Sequence, residues 1–126
     1  MKTKAVRIHG KKDLRLEEIQ LPPVGPDDVR VKIICDSICM SSYKAAMEGG
    51  DHKRVPDNVA ENPTIIGHEF CGIIDEVGAN WQHKYKVGQG FAIQPAHFYK
   101  GSLLAPGYSY PYCGGNAEYG LVPMEI

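Results

Sequence analysis

The chain has 126 residues and a mass of 13.9 kDa, which is the size of one ordinary domain. Hydrophobic residues make up 43% and charged residues 23% of the chain, and these globular proportions exclude wholesale disorder. Fourteen basic against 15 acidic side chains give a net charge of −1, so the chain has no basic field that would hold nucleic acid or an anionic membrane surface.

The cysteines and the apolar runs indicate the compartment. Four scattered cysteines are too few for a secreted disulfide scaffold. The amino terminus lacks the apolar run of a signal peptide, and no run approaches the roughly 18–20 residues that would span a bilayer. We therefore expect a soluble, reduced, cytoplasmic protein with neither nucleic acid nor membrane as a partner.

The first third of the chain predicts three strands. Its apolar and polar residues favour strands over 4–8 and 14–19, joined by a turn at 10–13. The proline-rich stretch 21–26 is expected to be a connector, because proline fixes φ and removes a donor from the ladder. Residues 29–33 alternate apolar and basic side chains, which is typical of a half-buried strand.

The middle of the chain predicts one short helix and one long strand. The serines at 41–42 are expected to cap a helix over 43–48, and the glycines at 49–50 to end it. Residues 51–64 favour a polar loop. The nearly continuous apolar run at 70–77 is typical of a strand that is covered on both faces.

The last third predicts a turn at 88–90, a strand at 91–93, a long irregular loop over 95–116 and a final strand at 117–122. Short strands at this spacing favour a mainly β fold, either a barrel or a sandwich. The chain has no Gly-x-Gly-x-x-Gly motif within a βαβ unit, so we expect no dinucleotide-binding domain in it.

Cys39 is the first candidate for chemistry. It lies between a predicted strand and the predicted helix, where the helix dipole favours the thiolate that binds a metal or attacks an electrophile. A single cysteine in an intracellular domain is also a common buried core residue, so both interpretations stay open for Cys39 alone.

His68 and Glu69 are the next candidates, at the start of the strand predicted over 70–77. Imidazole, thiolate and carboxylate are ligand types of tetrahedral zinc sites, and together with Cys39 they form such a set. Taken alone, the pair also fits a histidine in a turn beside a solvated glutamate.

Four motifs follow one another along the chain: Cys39 after an alternating strand, Gly67-His68-Glu69-x-x-Gly72-x-x-x-x-Val77-Gly78, Val87-Gly88-x-Gly90, and Gly114-Gly115-x-Ala117-Glu118-Tyr119. In this order they resemble the GroES-like catalytic domain of the zinc-dependent medium-chain alcohol dehydrogenases. The resemblance covers essentially the whole chain. It implies a partly open GroES-like β-barrel with short helices over residues 1–126, in a fragment that lacks the nucleotide-binding Rossmann domain.

Within that family the amino-acid sequence is most similar to those of members that act on sugar phosphates. Five segments carry this similarity: Asp36-Ser37-x-Cys39-x-Ser41, Lys44-Ala45-Ala46, His52-Lys53-Arg54-Val55-Pro56-Asp57, Gln94-Pro95-Ala96 and Gly107-Tyr108-Ser109-Tyr110. The run that begins at His52 lies outside the general family pattern and is therefore the most informative of the five.

The resemblance implies a role for four residues. Cys39 and His68 take the positions of two ligands of a catalytic zinc. Glu69 takes the place of a carboxylate that either binds the zinc or lies beside it, and Ser41 takes the hydroxyl position of the proton relay. A third zinc ligand and the site for NAD or NADP are expected outside this chain.

Two departures from the family pattern bear on the metal. Ser42 stands where the family has an aspartate that orients the zinc-binding histidine, and loss of such support typically lowers metal affinity or activity about 10–100-fold. A hydroxyl can also accept the imidazole N–H, so we expect weakening of metal binding rather than its loss.

Many relatives bind a structural zinc through four cysteines in the region 95–113, but this chain has only Cys113 there, so we expect no structural zinc. Cys35 and Cys71 are expected to be core residues.

Several other side chains have two open interpretations. Lys44, Lys53 and Arg54, beside His52, either contact a substrate phosphate or form a solvated charged loop. Three tyrosines either line a polar sugar pocket or pack the long loop: Tyr108, Tyr110 and Tyr112. Three histidines without a partner pattern are expected on the surface: His9, His83 and His97.

The expected function is that of the catalytic domain of a zinc-dependent, NAD(P)-linked dehydrogenase that interconverts a polyol or sugar-phosphate alcohol and its ketone. We expect the full-length protein to be a homo-oligomer and this chain alone to be inactive. Two other classes stay open. A non-catalytic GroES-like binding or scaffold module has no use for Cys39, His68 and Glu69, and a zinc-free quinone reductase of the same fold would not need Cys39 and His68 together.

Overall fold

The computed structural model describes residues 1–93 and 103–124. Seven strands, one α-helix and two short 3-10 helices make up this part of the chain. In order they are β1 (Lys2–Gly10), β2 (Asp13–Gln20), β3 (Asp28–Asp36), α1 (Met40–Glu48), a 3-10 helix (Gly49–Asp51), β4 (Thr64–Ile65), β5 (Phe70–Val77), a 3-10 helix (Ala79–Trp81), β6 (Gly90–Ala92) and β7 (Tyr119–Pro123). Within the described residues, no helix is both long enough and apolar enough to cross a membrane.

The strands form two antiparallel sheets, which confirms the mainly β prediction. One sheet has the order β2-β1-β4 and the other β6-β5-β3-β7. An isolated bridge between Ala5 and Ala117 joins the first sheet to the segment that leads into β7. The predicted hairpin of β1 and β2 is present, with Lys2 opposite Gln20 and a tight turn in which Lys12 adopts a positive φ of 55°.

The strand β5 is covered on one face only, so the prediction of two covered faces is wrong. Phe70, Ile74 and Val77 are buried, whereas Cys71 and Ile73 are exposed. A shift in the pairing with β3 leaves two residues of β5 opposite one, and it turns Ile74 and Val77 toward the same core although they are three residues apart.

The prediction that Cys35 and Cys71 are core residues is also wrong. The two cysteines lie opposite each other on β3 and β5, and both are exposed free thiols. They point away from the packed face of this sheet, which a sequence run of apolar residues does not reveal. His9, expected on the surface, is half-buried because its ring pairs with Glu17 of the neighbouring strand at 2.5 Å, whereas His83 is exposed as predicted.

The helix α1 begins at Met40 and not at residue 43, so the predicted cap is wrong. Cys39 is the N-cap residue in extended conformation, with no side-chain cap, because β3 and the segment after it keep the backbone extended up to this point. Ser41 and Ser42 therefore lie in the first turn. The helix ends as predicted at Gly49, whose φ is +54° and where a Cβ would lie 2.4 Å from the backbone nitrogen of Lys11.

A buried cluster beneath α1 fixes the loops around the candidate site. It contains Ile8, Ala45, Val55, Val59, Ile66, Ala105 and Tyr108. The segment 51–64 is therefore not only polar loop: its turns place Val55 and Val59 in the core. The strand predicted at 117–122 begins at Tyr119. The predictions for His97 and for the segment Gln94-Pro95-Ala96 lie outside the described residues.

Candidate metal centre

The pairing of β3 with β5 brings Cys39 and His68 to one end of a sheet. Asp36 at the end of β3 lies opposite Phe70 at the start of β5. The backbone nitrogen of Ser37 donates to the carbonyl oxygen of Glu69 at 3.0 Å, which continues the contact beyond the strands. The three residues after β3 and the two before β5 are therefore neighbours although the sequence separates them widely.

Cys39, His68 and Glu69 form a group of metal-binding type. One ligand atom from each residue can be chosen so that all three atoms lie within 4.8 Å of one another. His68 is buried, Cys39 is half-buried and Glu69 is exposed, so the group faces outward from the core. A thiol, an imidazole and a carboxylate in one cluster fit the donor preferences of zinc, and one exposed side leaves room for further ligands.

The carboxylate of Glu69 is held in its charged form. Hydrogen bonds from Cys39, and then from His68 and Ser37, keep the pKa of Glu69 below its usual value. The Nε2 atom of His68 lies 3.2 Å from Oε1 of Glu69. Glu69 is thus tied to both other members of the group.

Tyr108 closes the group from the protein interior. Its hydroxyl contacts Nδ1 of His68, and the two rings meet edge to face with centroids 5.1 Å apart. Burial raises the pKa of Tyr108, and a hydrogen bond with Ser41 opposes this rise. The hydroxyl of Ser41, the predicted proton-relay residue, is therefore linked to His68 through Tyr108.

Ser42 does not take the part expected of it. Its Oγ atom is buried and has no hydrogen-bond partner, so it does not accept an N–H from His68. The contact with Nδ1 of His68 is made by Tyr108 instead.

The basic residues predicted to bind phosphate surround His52, next to Tyr108. The rings of His52 and Tyr108 stack with centroids 5.3 Å apart and an angle of 8° between planes. Burial lowers the pKa of His52; Glu48 opposes the shift, and the positive charges of three side chains add to it: Lys44, Lys53 and Arg54. The charge of Arg54 also acts on Tyr108, and its Nη1 donates to the carbonyl oxygen of Leu103 at 2.9 Å.

Tyr110 and Tyr112 lie apart from this arrangement. Tyr110 packs against the core of the second sheet, and Tyr112 packs against a small cluster of the first sheet. Among the three tyrosines, the structure brings only Tyr108 to the candidate site. Cys113 is a buried free thiol, and the expectation that no structural zinc forms in the region 95–113 stays a prediction.

Sequence reasoning missed a set of hydrogen bonds next to the turn that precedes His68. Asn116 donates from Nδ2 to Oδ2 of Asp36 at 2.8 Å and to the carbonyl oxygen of Ile66 at 3.2 Å. Gly67 has a φ of +102°, and a Cβ there would lie 2.1 Å from Oδ2 of Asp36. Asp36 belongs to one of the motifs named above, but the sequence does not reveal that it packs against the Gly67 turn that precedes His68.

Residues 25–126 match the family model described as the alcohol dehydrogenase GroES-like domain. The chain belongs to this family. Within the alcohol dehydrogenase GroES-like family, it is 48% identical over 124 residues to L-sorbose 1-phosphate reductase of Klebsiella pneumoniae, a match that covers 98% of this chain and 30% of that protein. It is 46% identical over 121 residues to mannitol-1-phosphate 5-dehydrogenase of Aliivibrio fischeri, covering 96% of this chain and 28% of that protein.

A solved structure of the same kind confirms the GroES-like fold. The crystal structure of 2R,3R-butanediol dehydrogenase from Bacillus subtilis superimposes with a TM-score of 0.76 at 32% identity. The match covers 98% of this chain and 39% of that one. The chain thus spans between about a quarter and two fifths of the length of these relatives, which are alcohol, polyol or sugar-phosphate oxidoreductases by name.

Proposed function

We propose that this chain is the catalytic domain of a zinc-dependent, NAD(P)-linked dehydrogenase that interconverts a sugar-phosphate alcohol and its ketone. The observation that carries the proposal is the cluster of Cys39, His68 and Glu69, whose ligand atoms lie within 4.8 Å of one another. The similarity to two enzymes named for sugar phosphates supports the substrate class.

Cys39 and His68 would hold the zinc, with Glu69 as a third ligand or as a carboxylate that lies beside the metal. When bound there, zinc supplies Lewis-acid polarisation of a substrate carbonyl and favours the deprotonated form of the alcohol. The nicotinamide site, the nucleotide-binding domain and any further ligand belong to parts of the protein outside this chain. Residues 1–126 alone are therefore proposed to be inactive.

Ser41 moves the proton of the reaction. Its exposed hydroxyl lies in the first turn of α1, two residues after Cys39, and bonds to Tyr108. A nicotinamide bound outside this chain would supply the hydride for reduction. Ser41 would give a proton to the carbonyl oxygen and regain one from solvent, to which it is exposed. During oxidation, both transfers run in reverse and Ser41 accepts the proton.

Lys44, Lys53 and Arg54 bind the substrate phosphate. Their charges converge on His52, which stacks on Tyr108, and Tyr108 contacts the metal-binding histidine. A phosphate held by these residues would therefore leave the rest of the sugar directed toward Ser41 and the metal. Guanidinium and ammonium groups suit phosphate oxygens because they donate charge-assisted hydrogen bonds.

The test is turnover by the intact protein with paired substrates. NADH and NADPH oxidation is followed with L-sorbose 1-phosphate and with L-sorbose, and the reverse reaction with D-glucitol 6-phosphate. We expect kcat/KM for the phosphorylated ketone to exceed that for L-sorbose by at least about tenfold, because charged hydrogen bonds are worth about 1.5–3 kcal/mol. We also expect activity to disappear with a zinc chelator.

Three results would contradict the proposal. Equal turnover of both ketones would remove the phosphate as the recognised group. Reduction of a quinone that withstands the chelator would favour the zinc-free quinone reductase. A protein that holds no zinc and turns over no carbonyl or alcohol would favour a non-catalytic binding or scaffold module.

A further inference from the structure

We infer that Tyr108 is the positioning residue of the metal centre: its hydroxyl fixes the ring orientation and the tautomer of His68, in place of the missing aspartate at position 42. This inference rests on the metal-binding part of the proposed function. It concerns a residue that lies 66 positions after Ser42 in the sequence and on a different loop.

The geometry divides the two nitrogens of His68 between two partners. The Tyr108 hydroxyl contacts Nδ1 on the inner side of the ring. Nε2 lies 3.2 Å from Oε1 of Glu69 and donates to it, a place that a metal would take. His68 also offers a ligand atom within 4.8 Å of those of Cys39 and Glu69. His68 therefore has one nitrogen committed to the interior and one directed at the metal-binding position.

This division has a consequence for protonation. An imidazole can bind a metal through Nε2 only when that atom has a free lone pair, which in the neutral ring requires the proton on Nδ1. A phenol oxygen can accept that Nδ1–H, and its own proton can then turn to the Ser41 hydroxyl, which lies within hydrogen-bond reach of Tyr108 and is able to accept. Tyr108 thereby stabilises the tautomer that zinc requires, which is the usual task of a carboxylate behind a metal-binding histidine.

Ser42 makes no hydrogen bond that would stabilise this tautomer of His68. Its Oγ is buried and lacks a hydrogen-bond partner, whereas the Tyr108 hydroxyl contacts Nδ1 of His68. A serine is also too short to replace an aspartate carboxylate atom for atom, because it lacks the second oxygen and the carbon that bears both.

Tyr108 is itself held firmly enough to orient another ring. It is 4% exposed, and its carbonyl oxygen accepts a hydrogen bond of 2.9 Å from the Thr64 hydroxyl. One face of its ring stacks on His52. A side chain fixed on the backbone, the ring face and the hydroxyl gives His68 one orientation instead of several.

The experiment is a Co2+ titration of the intact protein, with the thiolate-to-cobalt charge-transfer absorption as the signal. Tyr108→Phe removes only the hydroxyl and should weaken Co2+ binding about 10–100-fold, the usual effect of losing a partner of a metal-binding histidine. The charge-transfer band should persist at saturation because Cys39 is unchanged. Tyr110→Phe, which removes a tyrosine hydroxyl from the core of the second sheet, should bind Co2+ like the parent.

A rescue separates orientation from general packing. Ser42→Asp restores the family residue, so the double variant Ser42→Asp/Tyr108→Phe should recover most of the lost Co2+ affinity. If the parent binds Co2+ and Tyr108→Phe binds it equally well, the role of Tyr108 is overturned while the metal centre stands. If the parent shows no thiolate charge-transfer band, the metal centre falls and the role of Tyr108 falls with it.

A measurement without variants covers the case in which Tyr108→Phe does not fold. In the Zn2+-loaded protein with 15N-labelled histidine, the NMR spectrum should show a proton bonded directly to Nδ1 of His68. This proton should exchange slowly with solvent. A His68 whose proton lies on Nε2, or whose Nδ1 proton exchanges as fast as that of the exposed His83, would overturn the inference.

Discussion

Single residues at the candidate site act through hydrogen bonds that cross between loops. Glu69 receives bonds from Cys39 and His68, and Tyr108 joins His68 to Ser41. Apart from the contact between the adjacent His68 and Glu69, each of these contacts joins segments that are distant in the sequence, so no single segment reveals them. The chemistry of the site therefore depends on how these loops are held together.

Arg54 provides a test of phosphate binding at the residue scale. Arg54→Gln should raise KM for L-sorbose 1-phosphate about 10–100-fold, since a hydrogen bond to a charged group is worth about 1.5–3 kcal/mol. The kcat/KM for L-sorbose should change little. Steady-state kinetics of the intact protein with both substrates measures this split.

The matched control is Arg15→Gln. Arg15 is an exposed arginine that pairs with Asp13 beside the β1–β2 turn, and its loss should leave both substrates unaffected. An equal loss with both substrates in Arg54→Gln would show that Arg54 only supports the loop through its bond to Leu103 and would contradict the phosphate role.

Sequence reasoning brought out the candidate ligand residues and missed the residues around them. Cys39, His68 and Glu69 were recognisable because their residue types and spacing resemble a known motif. The part of Tyr108 was not, because its contact with His68 depends on the path of a loop 40 residues later. Ser42 was expected to accept the imidazole N–H, but its buried Oγ has no hydrogen-bond partner.

At the scale of elements, the loop that contains Gly67 and the loop that contains Gly107 are in close backbone contact beside the site. Gly107 has a φ of +81°, and a Cβ there would lie 2.3 Å from the carbonyl oxygen of Gly67, beside His68. The nitrogen of Gly107 donates to the carbonyl oxygen of Cys113 at 2.9 Å. This close approach keeps Tyr108 over the histidine.

Gly107→Ala should therefore separate the two loops. A left-handed conformation costs an L-residue about 1–2 kcal/mol, and the contact with Gly67 adds to that cost. Urea unfolding of the intact protein and Co2+ titration should both show losses. Gly88→Ala is the control: φ is +88° there, but nothing lies within 4 Å of the added Cβ, so stability alone should fall. Unchanged Co2+ affinity in Gly107→Ala would contradict this account.

The strands were largely predictable and their faces were not. Alternation and turn residues located β1, β2, β3 and β5 to within a few positions, because these patterns report local backbone preference. The exposure of Cys71 and Ile73 depends on what packs over each face of the sheet, and the burial of Val77 depends on the bulge in β5; neither is encoded in a short window.

At the scale of the whole molecule, burial of Cys113 links stability to alkaline pH. Burial raises the pKa of the Cys113 thiol to about 12, from 9.0 in an exposed thiol. The folded state keeps this proton where the unfolded state releases it, so stability is fully present below pH 9 and falls as pH rises toward 12. Cys113→Ala should show a shallower decline above pH 9 in urea unfolding of the intact protein.

The expected difference in slope is at most about 1.4 kcal/mol per pH unit, the value for one proton. The exposed Cys35 serves as the comparison, and Cys35→Ala should decline in parallel with the parent. A Cys113→Ala variant with the same decline as the parent would show that this thiol does not titrate with unfolding.

The fold as a whole was predictable from four ordered motifs, because together they resemble one family, and the match over residues 25–126 confirms that family. The chain spans 30% of the length of the relative named for L-sorbose 1-phosphate, so substrate, cofactor and assembly stay proposals. The metal centre is the part of the proposal that this chain's own residues support most directly.

Zinc content of the intact protein is the most direct test of that centre. Parent, Cys39→Ala and Cys71→Ala proteins are prepared alike and analysed for bound zinc by mass spectrometry of the metal, with turnover measured in parallel. We expect the parent and the exposed-cysteine control Cys71→Ala to hold zinc and to be active, and Cys39→Ala to lose both. Cys39→Ala protein that retains zinc and turnover would contradict the central claim.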